Sequence, residues 1–216
     1  MERLVCIPVG PHTVEGLLVL TASPIGLVVF AHGSGSSRYS PRNNQVARVL
    51  HERQIGTLLL DLLTPEEDQE RRNRFDISLL TQRLLSVTQW LRQQPATRAL
   101  PLAYFGASTG AAAALMAAAA LGDDIQAVVS RGGRPDLAEP QDLARVRCPT
   151  LLLVGGLDED VLMLNQQAAS EMRCLPTLSV IPGATHLFEE PGTLDEVARQ
   201  AADWFEQHLL SAATKP

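Results

Sequence analysis

The sequence has few aromatic residues, no long apolar run and no excess of positive charge. Aromatic residues make up 4% of the 216, so no broad aromatic substrate pocket is predicted. Lysine and arginine number 18 against 24 acidic residues, a net charge of -6. This balance argues against nucleic acid as a partner, because binding to phosphates needs a basic surface. No run of about 18 apolar residues is present, so no membrane-spanning segment is expected.

Cysteine is also scarce. Cys6, Cys148 and Cys174 are odd in number and far apart, so they predict neither a disulfide framework nor a zinc site. Buried structural thiols in a reducing, cytoplasmic setting are the simplest interpretation. The N-terminus lacks the long apolar stretch of a signal peptide. Neither a metal nor an organic cofactor is expected.

Short apolar runs alternate with segments of helical periodicity. The runs fit strands buried on both faces of a parallel sheet and cover residues 27–31, 57–60, 101–105, 127–129, 150–154 and 177–181. The stretch up to about residue 20 predicts edge strands around a turn at Gly10-Pro11. Strands that alternate with helices predict an α/β fold with a mostly parallel central sheet and helices on both faces. We expect one domain over residues 1–210 and a frayed tail over residues 211–216.

Two helix starts and one charged segment are marked in the sequence. Asp76 precedes apolar residues at helical spacing and is a candidate N-cap. Thr193 and Glu196 have the spacing of a capping box. The charged run over residues 66–74 follows a predicted strand. It is either a solvated loop or a small flap over the ligand-binding edge of the sheet.

The strongest functional motif is Gly106-Ala107-Ser108-Thr109-Gly110. It follows a predicted strand and precedes an alanine-rich helical run over residues 111–120. A strand, a Gly-x-Ser-x-Gly turn and a helix form the setting of a nucleophile elbow. The glycines are needed because side chains beside such a strained turn would clash with neighbouring backbone. Ser108 is therefore the candidate nucleophile.

A nucleophilic serine needs a base, and the base needs an orienting acid. In this setting the chain order is serine, acid, histidine. Asp158 and His186 each follow a predicted strand at the ligand-binding edge, in that order. We expect His186 to act as general base and Asp158 to orient it. Glu159 and Asp160 remain alternatives for the acid.

A glycine-rich turn, His32-Gly33-Ser34-Gly35, follows the first predicted parallel strand. Such a turn supplies a backbone N–H to an oxyanion hole. We expect Ser34 to donate one N–H and Thr109 the other. His32, Gly33 and Gly35 are candidate substrate-binding residues, with His32 holding the loop rather than transferring protons. The turn lacks the lysine and glycine spacing of a phosphate loop.

Two arginines follow the predicted strand over residues 127–129. Arg131 and Arg134 flank a glycine pair and could clamp a substrate carboxylate or phosphate. The alternative is a surface loop held by an internal salt bridge, for example to Asp136.

Together these motifs resemble the α/β-hydrolase superfamily and, within it, the dienelactone hydrolase-like family. The matching segments are residues 32–35, 106–110, 155–158 and 183–188, and the resemblance covers essentially the whole chain. It implies an α/β-hydrolase fold. Only residues 130–149 join the strands before and after them, too few for a helical cap domain. The dienelactone hydrolases proper carry cysteine at the elbow where this chain has Ser108, and serine suits general ester hydrolysis. Residues 130–136 are also similar to hydrolase domains that occur beside phosphoribosyltransferase domains.

The leading hypothesis is a serine hydrolase that cleaves small carboxylic esters, with lactones and thioesters as further substrate classes. A small ester-type molecule is then the only partner expected. Two alternatives stay open: a catalytically idle fold used for binding or as a scaffold, and an acyltransferase that forms the same acyl-enzyme. The sequence does not determine the oligomeric state, although an uncovered edge strand near the N-terminus could pair.

Overall fold

An eight-stranded sheet between two layers of helices forms the framework of the chain. The computed structural model describes residues 1–213. The strands are β1 (Glu2–Val9), β2 (His12–Val19), β3 (Gly26–Ala31), β4 (Ile55–Leu60), β5 (Leu102–Ala107), β6 (Ile125–Arg131), β7 (Thr150–Gly155) and β8 (Thr177–Ile181). The helices are α1 (Pro41–Glu52), α2 (Pro65–Gln69), α3 (Ile77–Gln93), α4 (Thr109–Leu121), α5 (Pro140–Leu143), α6 (Glu159–Glu171) and α7 (Thr193–Ala213).

The sheet is mostly parallel, as predicted. Its strand order is β1-β2-β4-β3-β5-β6-β7-β8, and β2 alone runs in the direction opposite to the other seven described strands. The six strands β3 to β8 are parallel to each other. Their carboxyl ends therefore meet at one edge, where open α/β sheets bind their ligands. We call it the catalytic edge, because the sequence predicts the catalytic residues there.

Each face of the sheet carries its own apolar core. Strands β3, β4, β5 and β7 are buried along their whole length, which explains their continuous apolar sequences. Successive side chains alternate between the faces. In β3, for example, Val29 packs with α3 and α4, whereas Phe30 packs with α1 and α7.

Helix α4 lies unusually close to the sheet because its residues are small. A methyl group at Gly110 would lie 2.2 Å from the carbonyl oxygen of Ala31 in β3. Alanines make up most of the rest of the helix and nearly all of them are buried. This close approach fixes the N-terminus of α4 directly against the catalytic edge.

The predicted helix starts had different outcomes. The Asp76 side chain accepts a hydrogen bond of 2.9 Å from the Leu79 N–H, which confirms it as the N-cap of α3. The capping box at Thr193 is wrong. The Glu196 N–H bonds to the Gly192 carbonyl at 3.0 Å, so Thr193 already lies inside α7.

A capping box that the sequence analysis missed begins α2. The Glu67 N–H donates to the Thr64 hydroxyl at 3.2 Å, and the Thr64 N–H donates to the Glu67 carboxylate at 2.9 Å. The motif satisfies two helix N–H groups that would otherwise lack partners. It therefore fixes the start of the charged segment that follows β4.

The chain has no cap domain between β6 and β7. Within the described residues this connection contains only a 3-10 turn (Pro135–Leu137) and the four-residue α5. None of the helices in residues 1–213 combines the length and hydropathy needed to cross a membrane. Helix α7 includes residues 211–213, and residues 214–216 lie outside the described part, so the frayed tail stays a prediction.

Candidate active site

Ser108 occupies a strained turn between β5 and α4. Its φ of 50° lies in the left-handed region that non-glycine residues rarely adopt. A methyl group at Gly106 would lie 2.4 Å from the Ala111 Cα, so only glycine fits there. With Gly110 pressed against β3, these contacts hold Ser108 at the carboxyl end of β5. The geometry is that of a nucleophile elbow.

Asp158 and His186 form a hydrogen-bonded pair at the same edge. The Nδ1 of His186 lies 2.6 Å from the Oδ2 of Asp158. Asp158 stands at the N-cap position of α6, yet its carboxylate makes no capping hydrogen bond. Its negative charge is directed to the histidine instead. Glu159 and Asp160, the alternative acids, are the first two residues of α6 and are not bonded to His186.

Arg131, the last residue of β6, and the following Gly132 contact both the elbow and His186. The Ser108 N–H donates to the Arg131 carbonyl at 3.3 Å. A methyl group at Gly132 would lie 3.5 Å from the Cε1 of His186. Among the residues that the structure describes, the Ser108 hydroxyl has no hydrogen-bond partner, and thus none to His186. Catalytic hydrogen bonds are often formed only when substrate binds.

The glycine-rich turn after β3 packs directly on the elbow. A methyl group at Gly33 would lie 3.0 Å from the Ser108 Cβ, so this residue must be small. Ser34 follows it, and Gly35 has a φ of 71°. Thr109 is the first residue of α4, where backbone N–H groups lack a partner within the helix. The predicted oxyanion-hole residues, Ser34 and Thr109, thus both lie near the nucleophile and line the same cleft.

His32 fastens this turn to the end of β4. The Leu62 N–H donates to Nε2 of the ring at 3.2 Å, and Nδ1 lies 2.9 Å from the Gly33 carbonyl. This pattern requires the neutral tautomer, with Nδ1 donating and Nε2 accepting. Burial lowers the pKa of His32, which favours the same neutral form. Both ring nitrogens are engaged in positioning the loop.

The charged segment after β4 forms one wall of the cleft beside the elbow. We call residues 65–75, which comprise α2 and a 3-10 turn (Arg71–Phe75), the flap. Asp68 and Arg74 of the flap line a narrow cleft together with Thr109 and residues 32–35. Arg74 donates through Nε and Nη2 to the Asp68 carbonyl, at 2.9 and 2.6 Å. The sequence analysis named this run as a possible flap over the ligand-binding edge but singled out neither Asp68 nor Arg74, because a charge run does not show which side chain turns inward.

The two arginines after β6 have different environments. Arg134 donates two hydrogen bonds to the Asp136 carboxylate, at 2.8 and 2.7 Å. This internal salt bridge is the alternative stated for Arg134. Arg131, in contrast, is 8% exposed, and its Nε and Nη1 are buried with no hydrogen-bond partner. The structure therefore separates the two residues instead of joining them in one clamp.

Comparison with known proteins identifies the family. A family model described as an alpha/beta hydrolase domain matches residues 24–210. The chain belongs to the α/β-hydrolase family. Within it, the hydrolase is similar to a dienelactone hydrolase from Anabaena variabilis ATCC 29413, with 51% identity and a TM-score of 0.93. The match covers 96% of this chain and 98% of the Anabaena chain. The hydrolase is therefore dienelactone hydrolase-like.

Other relatives extend the comparison. Est1E from Butyrivibrio proteoclasticus is 15% identical with a TM-score of 0.81, over 95% of this chain and 98% of its own, a likeness that shows the fold alone. Two proteins of Mycobacterium tuberculosis (strains CDC 1551 / Oshkosh and H37Rv) are 59% identical over 200 residues and carry the name "Putative phosphoribosyl transferase". The match covers 93% of this hydrolase but only 45% of those proteins. The fold and its neighbours support a hydrolase-type function.

A larger cavity of the hydrolase lies far from Ser108. It measures about 770 Å³ and is lined by the end of α4 and by residues that precede β7 and β8, among them Arg145, Arg147 and Arg173. These residues mark the edge of the sheet opposite the catalytic edge. The candidate site is therefore chosen by the convergence of the elbow, the Asp158–His186 pair and the glycine-rich turn, and not by cavity size.

Proposed function

We propose that this chain is a serine hydrolase that cleaves small carboxylic esters, with lactones and thioesters as further substrate classes. One observation carries the proposal. A serine held at positive φ on an elbow shares one sheet edge with a histidine whose Nδ1 lies 2.6 Å from an aspartate. Nucleophile, base and orienting acid in that relation are the parts needed for acyl transfer.

In the proposed mechanism, the Ser108 hydroxyl attacks the ester carbonyl while Nε2 of His186 takes its proton. Asp158 accepts a hydrogen bond from Nδ1 and stabilises the imidazolium that forms. The backbone N–H groups of Ser34 and Thr109 receive the oxyanion, and one such donor contributes ~2.7–4 kcal/mol to transition-state stabilisation. His186 then returns the proton to the leaving group. Water activated by His186 hydrolyses the acyl-enzyme and frees Ser108.

Two features of the chain support a small substrate and a reducing setting. The cleft beside Thr109 is narrow and is bounded by the flap, and no cap domain enlarges it within the described residues. Cys6, Cys148 and Cys174 are free thiols, but the expectation that all three are buried is wrong for Cys6, which is exposed. We propose a cytoplasmic location, where glutathione and thioredoxin keep thiols reduced.

The name of the mycobacterial relatives does not compete with this proposal. The chain spans 45% of the length of those proteins, so more than half of each lies outside the match. The matched region is the one that the hydrolase family model recognises. We propose that the phosphoribosyl transferase named there belongs to the remaining length.

Labelling with a fluorophosphonate tests the proposal without a guess about substrate. Intact mass spectrometry of the wild-type chain should show rapid addition of one phosphonyl group. Ser108→Ala and His186→Ala should abolish it, and both should reduce ester turnover by about 10⁴-fold or more while retaining the fold. Ser170→Ala, which removes an exposed serine hydroxyl from α6, is the matched control and should label like wild type.

Two results would redirect the assignment. A folded wild type that is not labelled contradicts the hydrolase and favours the idle binding fold. Labelling that survives in Ser108→Ala places the nucleophile elsewhere. Product analysis with added alcohols and thiols then separates hydrolysis from acyl transfer, because only the second consumes the added acceptor.

A further inference from the structure

The loop that carries His186 has no regular secondary structure. It runs from the end of β8 at Ile181 to the first residue of α7, Thr193, and His186 lies in its middle. A group that transfers a proton must be held in place, because small displacements of a reacting group cost rate. The Asp158 carboxylate holds the ring through Nδ1, but it does not hold the backbone that bears the ring. The contacts of the loop therefore decide where the histidine stands.

Thr185, which directly precedes His186, has every polar group engaged. Its N–H donates to Oε2 of the Glu190 carboxylate at 3.0 Å, and its hydroxyl donates to Oε1 of the same carboxylate at 2.6 Å. Its carbonyl accepts a hydrogen bond of 3.2 Å from the Phe188 N–H. Both oxygens of one carboxylate thus bind a single residue, and they fix the chain where it leads into the histidine.

The inner side of the loop packs on β7 and on an apolar core. A methyl group at Gly155, the last residue of β7, would lie 2.4 Å from the Ala184 carbonyl oxygen and 2.7 Å from that of Thr185. The Phe188 side chain is 2% exposed and packs in the core that α1 and α7 cover. These contacts anchor the loop, but its exposed outer side is left to hydrogen bonds.

The Glu190 carboxylate serves hydrogen bonding and not charge pairing. No ion pair of the described residues includes it, whereas the neighbouring Glu189 lies 3.3 Å from Arg42. Hydrogen bonds from Thr185 lower the pKa of Glu190, so its carboxylate is charged at neutral pH and can accept both bonds. The Glu190 carbonyl also accepts from the N–H and the hydroxyl of Thr193, at 3.1 and 2.8 Å. Glu190 therefore connects the residue before the histidine to the first turn of α7.

We propose that Glu190 is a positioning residue, which holds His186 where its ring can bond Asp158 on one side and reach Ser108 on the other. This inference rests on the proposed ester hydrolysis and deepens it, because it assigns the group that keeps the base in place. Glu190 touches neither the substrate nor the reacting atoms and acts through Thr185. Without its carboxylate, the loop keeps its apolar anchor but loses both side-chain bonds on its outer side.

Ester kinetics of Glu190→Ala with 4-nitrophenyl acetate test the proposal. The kcat should fall by about 10- to 100-fold, because a displaced base slows proton transfer. KM should change by less than about 2-fold, since His186 serves acylation and deacylation alike and both steps slow together. Glu189→Ala is the matched control. It removes the neighbouring exposed carboxylate of the same loop, and its kcat should stay within about 2-fold of wild type.

Glu190→Gln distinguishes hydrogen bonding from charge. Glutamine keeps a carbonyl oxygen for the Thr185 N–H and offers an NH₂ group to the hydroxyl oxygen. Its kcat should therefore lie within about 3-fold of wild type. Thr185→Val removes the hydroxyl bond and keeps the N–H bond, so its kcat should lie between those of wild type and Glu190→Ala. It tests the same link if Glu190→Ala does not fold.

Proton NMR reports on the base without turnover. The proton between Nδ1 of His186 and Asp158 resonates far downfield when the hydrogen bond is short and ordered. The resonance should be present in wild type, Glu189→Ala and Glu190→Gln, and it should be broadened or lost in Glu190→Ala. A variant Glu190→Ala with a lower Tm but with wild-type kcat and resonance would make Glu190 structural only, which overturns the proposal.

Fluorophosphonate labelling separates a failure of this inference from a failure of the proposed function. A folded wild type that is not labelled contradicts the hydrolase, and the inference that rests on it falls as well. Where wild type is labelled, Glu190→Ala should be labelled about 10-fold more slowly or less. Equal labelling rates, or a kcat that Glu190→Gln fails to retain, overturn the positioning role alone. A raised KM at unchanged kcat also overturns it, because Glu190 would then contact the substrate.

Discussion

Two histidines at the catalytic edge of this hydrolase have opposite electrostatic settings. His186 has a carboxylate on Nδ1, a partner that supports the charged ring it would form on taking a proton. His32 bonds to backbone groups instead, with Nε2 accepting the Leu62 N–H and Nδ1 donating to the Gly33 carbonyl. Its protonation would remove the acceptor that the Leu62 N–H needs. In the proposed mechanism, the same residue type therefore serves proton transfer at His186 and positions a loop at His32.

The buried His32 predicts a pH-dependent stability. Burial lowers its pKa in the folded state below the ordinary value of 6.5. As pH falls below 6.5, the unfolded chain binds a proton that the folded chain does not, so acid favours unfolding. His32→Gln should reduce the loss of unfolding free energy between pH 7 and 5.5, by up to about 1.4 kcal/mol per pH unit. Burial also lowers the pKa of His51 and of His208, so the variant should still lose some unfolding free energy as the pH falls.

Urea unfolding of wild type and His32→Gln at several pH values measures this slope. If the urea midpoints of the two proteins fall equally as the pH falls, His32 takes up a proton as readily in the folded state as in the unfolded state, which contradicts the prediction. The Glu196–Arg199 ion pair of α7 does not interfere. Its Glu196 has a pKa lowered to about 2 by hydrogen bonds from Arg199 and Gln200, so it titrates far below the window used.

At the scale of elements, the sequence predicted the sheet and the order of the motifs but not every side-chain direction. The succession of a strand, a Gly-x-Ser-x-Gly turn and a helix is a local pattern, so the sequence predicts the position of Ser108. It does not predict the direction of the Arg131 side chain. The strand β6 continues two residues beyond the predicted end at 129, so Arg131 alternates into the buried layer with Val129, and Gly132 at φ 50° turns the chain outward to Arg134. That outcome depends on pairing with β5 and β7, which lie far away in sequence.

The start of α3 offers a test of coupling between a helix cap and the flap. Asp76 directly follows the last flap residue, Phe75, and caps α3 through the Leu79 N–H. Asp76→Ala should lower the free energy of unfolding by about 1 kcal/mol, the usual cost of losing such a cap. Because the cap anchors the flap, KM for small esters should rise while labelling of Ser108 persists. Asp123→Ala, at an exposed turn, should change stability by less than about 0.5 kcal/mol.

Urea titration and ester kinetics measure the two effects on the same protein samples. Equal stability of Asp76→Ala and wild type would mean that the first turn of α3 is held by packing of its apolar residues alone. A stability loss without any change in KM would separate the cap from the flap.

At the scale of the whole molecule, one sheet supports two cores and a catalytic edge. Helices α3 and α4 cover one face, and α1 and α7 cover the other. The proposed catalytic residues come from loops after β3, β5, β7 and β8, so their geometry requires both layers to be in place. The mycobacterial relatives are more than twice as long as the matched segment, which raises the question of whether this segment folds without further chain.

Tryptophan fluorescence tests whether the segment folds by itself, because the two tryptophans report on opposite faces of the sheet. Trp90 of α3 packs on one core and Trp204 of α7 on the other. Each of the variants Trp90→Phe and Trp204→Phe keeps one tryptophan. In urea, the fluorescence of the two variants should show single unfolding transitions with equal m-values, and each transition should coincide with the loss of helical circular dichroism. Each transition then reports the whole domain, because neither helical layer can keep its apolar face buried once the shared sheet is lost. Two transitions that separate by reporter would instead divide the chain into parts, and the single domain over residues 1–210 would be wrong.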